Sequence, residues 1–198
     1  MNASAGTRNQ AVLVVAGGLA VGSLTSFGQT YLHGASAAFV NSASAWLILP
    51  FFIGAHMASR RDATAAGLAV CLLQLGGYYL TAQMRGFPAG GAILVFWAGC
   101  AVLGGPAYGA AGWLWRTGGP RVRGLGAAVL ASAFLAEGLW VYLHELHRYA
   151  TAALWITIGA LLAATMARRV TEARWLALTV PIALAGEVLL TQVYSRAF

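Results

Sequence analysis

Seven stretches of apolar sequence, each about as long as a bilayer is thick, take up almost the whole chain and leave nothing for a soluble domain. A membrane-crossing helix needs about 20 predominantly apolar residues. The stretches run over Ala11–Leu32, Ala38–Ala58, Ala63–Gln83, Gly91–Trp115, Gly124–His144, Thr151–Ala167 and Trp175–Tyr194. Lipid offers no partner for backbone polar groups, so segments of this kind fold as helices. The expected fold is an all-α integral membrane protein, a single domain over residues 1–198 built as a compact seven-helix transmembrane bundle. Only 9% of the residues are charged, against about a quarter in a soluble domain.

The net charge of +7 comes from 12 basic residues, all of them arginine. Placed along the chain they fall between the apolar stretches and alternate from loop to loop. With the N-terminus in the cytoplasm, Arg8, Arg60, Arg61, Arg116, Arg121, Arg123, Arg168, Arg169 and Arg174 lie inside, and Arg85, Arg148 and Arg196 outside. That is the pattern of orientation signals rather than of a nucleic-acid footprint. It predicts a multi-pass protein of a bacterial cytoplasmic (plasma) membrane, N-terminus cytoplasmic and C-terminus extracytoplasmic, with membrane lipids and no nucleic acid as partners. Trp113, Trp115 and Trp175 stand beside the inner arginines and read as interfacial residues.

Small residues recur at helix-packing spacing in Gly18-Leu19-Ala20-Val21-Gly22 and Gly105-Pro106-Ala107-Tyr108-Gly109. Such pairs let backbones approach closely in lipid. Pro50, Pro106 and Pro181 lie within the expected helices, where proline removes a backbone donor and favours a kink. Cys71 and Cys100 sit inside apolar stretches without metal-type spacing, so neither a disulfide nor a zinc site is expected.

Two carboxylates interrupt the apolar stretches: Glu137 in Leu135-Ala136-Glu137-Gly138-Leu139 and Glu187 in Leu184-Ala185-Gly186-Glu187-Val188. Ionisable side chains are expensive in a bilayer and mark functional sites by default. At about 1.5 Å rise per residue the two share one depth, roughly 20 Å from the inner ends of their helices. Gln29, Asn41, Gln74, Tyr78, Trp97, Trp140 and Tyr142 fall in the same outer half. On the fifth helix Glu137, Trp140, Val141 and His144 follow an i, i+3, i+4, i+7 spacing and share a face if the helix is regular. The alternative role for the acids and amides is inter-helix hydrogen bonding. His144-Glu145-Leu146-His147 spaces its histidines three apart rather than the four of a zinc-protease helix. No metal and no cofactor is expected.

A buried carboxyl that can donate a proton, beside indole and phenol faces that stabilise a cation, suits acid-initiated cyclisation of a lipophilic polyene. The same groups would also suit capture of a small organic cation.

The run Asn41-Ser42-Ala43-Ser44-Ala45-Trp46, the block Gly76-Gly77-Tyr78-Tyr79-Leu80, Phe96-Trp97 followed by Gly104-Gly105-Pro106-Ala107-Tyr108-Gly109, and Leu135-Ala136-Glu137-Gly138-Leu139 resemble a family of small bacterial membrane proteins of unknown function. The likeness runs from about Gly17 to Tyr142. The architecture also resembles the integral membrane terpene cyclases of meroterpenoid and indole-terpenoid pathways. That resemblance implies an isomerase or lyase protonating a terminal alkene or epoxide of a prenylated substrate, with a prenyltransferase of the same pathway as metabolic partner. Glu187 suits the acid that fungal members carry in the last helix; Glu137, on the fifth helix, departs from their pattern. The expected catalytic residues are Glu137 and Glu187, and the expected substrate-binding residues Gln29, Asn41, Trp46, Gln74, Tyr78, Trp97, Trp140, Tyr142 and His144. The other expectation is an outward-open binding or transport protein for a small organic cation or vitamin-like ligand, similar to the capture subunits of energy-coupling-factor importers.

Overall fold

The computed structural model describes residues 3–87, 90–119, 122–167 and 170–197. Arg121, Arg168 and Arg169, three of the arginines used to orient the chain, lie outside them. Among the described residues the protein is helical, with no strand. The helices are α1 (Ala3–Tyr31), α2 (Ala38–Asn41), α3 (Ala43–Trp46), α4 (Ile48–Ala55), α5 (Arg60–Met84), α6 (Gly91–Thr117), α7 (Arg123–Glu137), α8 (Tyr149–Met166) and α9 (Leu176–Ala197). Six are long and apolar enough to cross a membrane when α7 is taken with its continuation to Glu145, and seven if the bent pair Gly34–Asn41 and Ala43–Ala55 counts as one span.

Two of the expected helices are not regular. The stretch Ala38–Ala58 is broken into α2, α3 and α4, with a bend of 54° between its two halves. Pro50 is not the cause. It occupies the first turn of α4, where a backbone N–H has no intrahelical acceptor to lose. The break falls at Ser42, whose hydroxyl accepts from the Ala45 amide (3.1 Å) as a helix N-cap does. The fifth span changes register instead of breaking: after Glu137 the chain continues as a π-helix over Gly138–Glu145.

The chain divides into two compact units. The first comprises residues 1–41 and 46–113, the second residues 42–45 and 114–198. In the first, α1 and α5 pack backbone against backbone. A side chain at Gly22 would strike the Gln74 carbonyl, and one at Gly77 the Leu19 carbonyl. The expected Gly105/Gly109 seam is formed in the same way, since Gly67 meets the Gly105 carbonyl, Gly109 the Ala63 carbonyl, and Gly112 the Phe51 carbonyl of α4. Ile53, Met57, Ala63, Ala66 and Val70 form the adjoining core, flanked by Val14, Leu49 and Trp113. Arg85 at the end of α5 ties back to α1 through Ser26 and Thr30, with its guanidinium 4.5 Å from the Phe27 ring centre.

In the second unit α7 is the central helix. Its buried positions are mostly small, including Gly124, Gly126, Ala127, Ala128, Ala131, Ser132, Ala133 and Ala136, so neighbours reach its backbone. Gly159 of α8 approaches the Ala131 carbonyl, and Thr179 of α9 donates to the Ala128 carbonyl at 3.4 Å. α9 itself is mostly exposed, as a helix facing lipid on most sides must be.

Candidate functional site

The second unit holds the most enclosed polar cluster among the described residues, and Glu137 is its centre. The small residues of α7 bring this carboxylate to 3% exposure at the last α-helical position before the π-turn. Its Oε2 accepts from the Ser42 hydroxyl at 2.7 Å and from the Ser44 backbone amide at 2.9 Å. Ser44 lies in the first turn of α3, so its amide has no intrahelical acceptor and would otherwise be orphaned. The acid therefore supplies the acceptor that the interrupted helix lacks, and this is the physical reason the second span can break in an apolar setting.

The two serines complete the network. Ser42 spends its hydrogen on Glu137, so in the 2.9 Å contact between the hydroxyls Ser44 is the donor. The indole N–H of Trp155 is shared between Ser44 Oγ (3.0 Å) and Ser42 Oγ (3.2 Å). Trp155 is fully buried in α8, and its ring meets Tyr142 edge-on at 5.2 Å and Phe134 at 6.1 Å. Such a network, with its members satisfied, rigidifies its surroundings in a low-dielectric interior.

Tyr142 joins through the π-helix. Bonds run from i to i+5 in this segment, as Leu146 N to Val141 O shows. Tyr142, five residues past the acid, is 4% exposed, with its phenol near Glu137. The regular α-helical face expected for Glu137, Trp140 and His144 is thereby redistributed. Trp140 is half-buried, His144 is exposed, and the two rings lie 4.5 Å apart.

Glu187 is half-buried on α9, in the neighbourhood of Glu137 and Tyr142. Its carboxyl makes no hydrogen bond among the described residues. Glu137 and Glu187 are thus unlike: one is pinned by donors, and the other is half-buried without a hydrogen bond among the described residues.

The remaining expected site residues belong to the first unit. Tyr78 donates to Gln29 Oε1 at 2.6 Å, Gln29 Nε2 to Asn41 Oδ1 at 2.8 Å, and Asn41 Nδ2 to the Ala37 carbonyl at 2.8 Å. This chain ties the end of α1 to α2 and α5. Gln74 is fully buried, donating to the Trp46 carbonyl at 3.3 Å, and its Oε1 has no partner among the described residues. The Trp46 ring lies edge-on to Tyr78 at 5.9 Å. Trp97 is half-buried and packs on Phe96 at 5.1 Å.

Ser42, Ser44 and Trp155 were not among the expected site residues. A signal for them existed. Two serines two apart in an apolar stretch need acceptors, and Trp155 lies at mid-span, where an indole N–H needs a partner, rather than in the interfacial belt.

The network predicts a difference between two substitutions of the same acid. Glu137→Leu leaves the Ser42 hydroxyl and Ser44 amide buried without an acceptor, at about 1–3 kcal/mol for each group. A loss of roughly 3–5 kcal/mol is expected in equilibrium unfolding from mixed detergent micelles. Glu137→Gln keeps an oxygen acceptor there and should lose much less. Equal stability of Glu137→Leu and the wild type would show that the carboxylate does not hold the break.

No curated protein and no solved structure matches this chain. A family model matches residues 1–197, nearly the whole sequence, and its description is a family of unknown function (DUF6518). The chain, a helical protein with six or seven candidate membrane spans, belongs to that family.

Proposed function

We propose that this protein is an integral membrane terpene cyclase, acting on a prenylated lipophilic substrate in a bacterial plasma membrane. The observation that carries the reading is a pair of unlike carboxyls within electrostatic reach of each other inside apolar helices, with aromatic rings beside them. Glu187, without a hydrogen bond among the described residues, is the proton donor. Its O–H breaks as a C–H bond forms at the terminal alkene carbon, or as an O–H bond forms at an epoxide oxygen whose C–O bond to the tertiary carbon then opens onto that oxygen, and either way a tertiary cation is left. The next alkene supplies the electron pair for ring closure. The last cation returns a proton to the Glu187 carboxylate, so the sequence is an isomerisation that needs neither oxidant nor cofactor. Glu137, fixed by Ser42 and Ser44, is the counter-charge, and the rings of Tyr142 and Trp140 face the cation.

The test supplies membranes containing the protein with a farnesylated aromatic and with its epoxide, and reads products by mass spectrometry and NMR. Cyclised product with the wild type supports the reading. Failure to turn over either substrate, together with retention of a small organic cation, would replace it with the binding-protein reading.

The same proposal carries an orientation, N-terminus cytoplasmic and C-terminus external, supported by the arginine alternation. It requires the bent pair to cross. Gly34–Asn41 inclined at 54° to Ala43–Ala55 spans about 27 Å along the latter's axis, close to the roughly 30 Å of a hydrocarbon core. Topology reporters inserted after His33 and after Arg61 should therefore give opposite signals. Matching signals would make the pair a re-entrant hairpin and bring the C-terminus to the inner side.

A further inference from the structure

A groove of about 520 Å³ lies in the first unit, lined by Arg60, Arg61, Thr64, Ala65 and Leu68 of α5 and by Pro106 of α6. Arg61, Thr64, Ala65 and Leu68 follow an i, i+3, i+4, i+7 spacing and so form one stripe of α5. The stripe is charged at the helix start and apolar two turns further in, about 10 Å along the axis. The neighbouring face of α5, at Ala63 and Gly67, is closed against α6, so the groove borders a seam that cannot open to absorb its contents.

Its electrostatics are one-sided. Neither guanidinium has a hydrogen bond or ion pair among the described residues. Asp62 is the sole acid in residues 1–113, and its carboxylate accepts from the Ser59 hydroxyl at 2.7 Å in the cap of α5. Two unneutralised arginines at the membrane boundary, opening onto an apolar trough that runs into the hydrocarbon, match one kind of ligand. The guanidiniums can hold phosphate oxygens in a bidentate fork. Ala65, Leu68 and Pro106 then present a dry wall to a hydrocarbon chain.

We propose that this groove is a binding site for an anionic glycerophospholipid, with the headgroup phosphate on Arg60 and Arg61 and one acyl chain along Leu68 and Pro106. Basic pockets between membrane helices select anionic headgroups in this way.

The experiment reconstitutes the full chain into vesicles of mixed phosphatidylglycerol and phosphatidylcholine, extracts it into mild detergent and counts retained lipid by native mass spectrometry. Wild type should retain phosphatidylglycerol in preference to phosphatidylcholine. Arg60→Gln/Arg61→Gln should lower that retention roughly thirty-fold, and Arg60→Lys/Arg61→Lys should restore part of it. Leu68→Phe, which fills the apolar end and leaves both charges in place, should also weaken retention and carries the test if the double variant fails to fold. Arg8→Gln should change nothing. Equal retention by the Gln double variant, equal loss with Arg8→Gln, or displacement of the lipid by inorganic phosphate alone would each overturn the proposal.

Discussion

Glu187→Gln is expected to lower cyclisation about 10²–10⁴-fold while leaving the protein folded, because an amide cannot give the proton that starts the reaction. The side chain is half-buried and makes no hydrogen bond among the described residues, so the neutral isostere removes an acid without unpairing a neighbour. Glu137→Gln should be comparably inactive for a different reason. Its amide oxygen still accepts from Ser42 and Ser44, so the site keeps its shape, but the counter-charge that stabilises the cation is gone. Trp140→Ala should retain turnover yet release partly cyclised or water-quenched products, since it removes a π-face and not a proton donor. The readout is product yield and distribution from equal amounts of folded protein. Unchanged product from both Gln variants would reject these glutamates as the reacting acids. Loss of folding in both would assign them to helix pairing.

The second large effect concerns the seam of α4, α5 and α6. Gly→Ala in the middle of an exposed helix stabilises by roughly 0.5–1 kcal/mol, because alanine loses less backbone freedom on folding. At Gly67, Gly109 and Gly112 the sign should reverse. The added carbon would fall inside contact distance of a backbone carbonyl on the facing helix, and a backbone can give way only by moving the whole helix. Overpacking of this kind costs about 1–3 kcal/mol for a few extra atoms. Gly67→Leu or Gly109→Leu should leave no folded protein in a detergent-resistance or size-exclusion assay. Gly76→Leu and Gly99→Leu are the controls, because among the described residues nothing lies within 4 Å of a side-chain carbon at either position. Equal tolerance at all four positions would mean that the helices do not pack through these glycines.

Hydropathy sufficed to locate most of the helices, since it is summed over about 20 residues and tolerates local irregularity. The glycine seams were also legible, because close approach in lipid needs small residues at repeated spacing and Gly105 and Gly109 had it. What stayed hidden was the behaviour of two spans that are apolar throughout. The stretch Ala38–Ala58 carries a proline, but Pro50 stands eight residues past the break and does not mark it. The device that permits it, an acceptor for the Ser44 amide, comes from a residue 93 positions away. Likewise the π-register after Glu137 moved Tyr142 onto the acid and His144 off it, which no counting by 3.6 residues could show. Glu137 itself was identified from sequence because a lone acid in lipid is conspicuous. Ser42, Ser44 and Trp155 were passed over because serine and tryptophan in a membrane helix are not.

The separation of 95 residues between Ser42 and Glu137 has a consequence for biosynthesis. At about 5–20 residues per second, the ribosome needs roughly 5–20 s after making the second span before it reaches its distant acceptor. Until then the Ser44 amide has no carboxylate to meet, and in the bilayer its remaining means of satisfaction is an unbroken helical ladder. The second span should therefore enter the membrane straight and bend only when the fifth arrives, so that a nascent chain stalled before Glu137 carries a different conformer from the finished one.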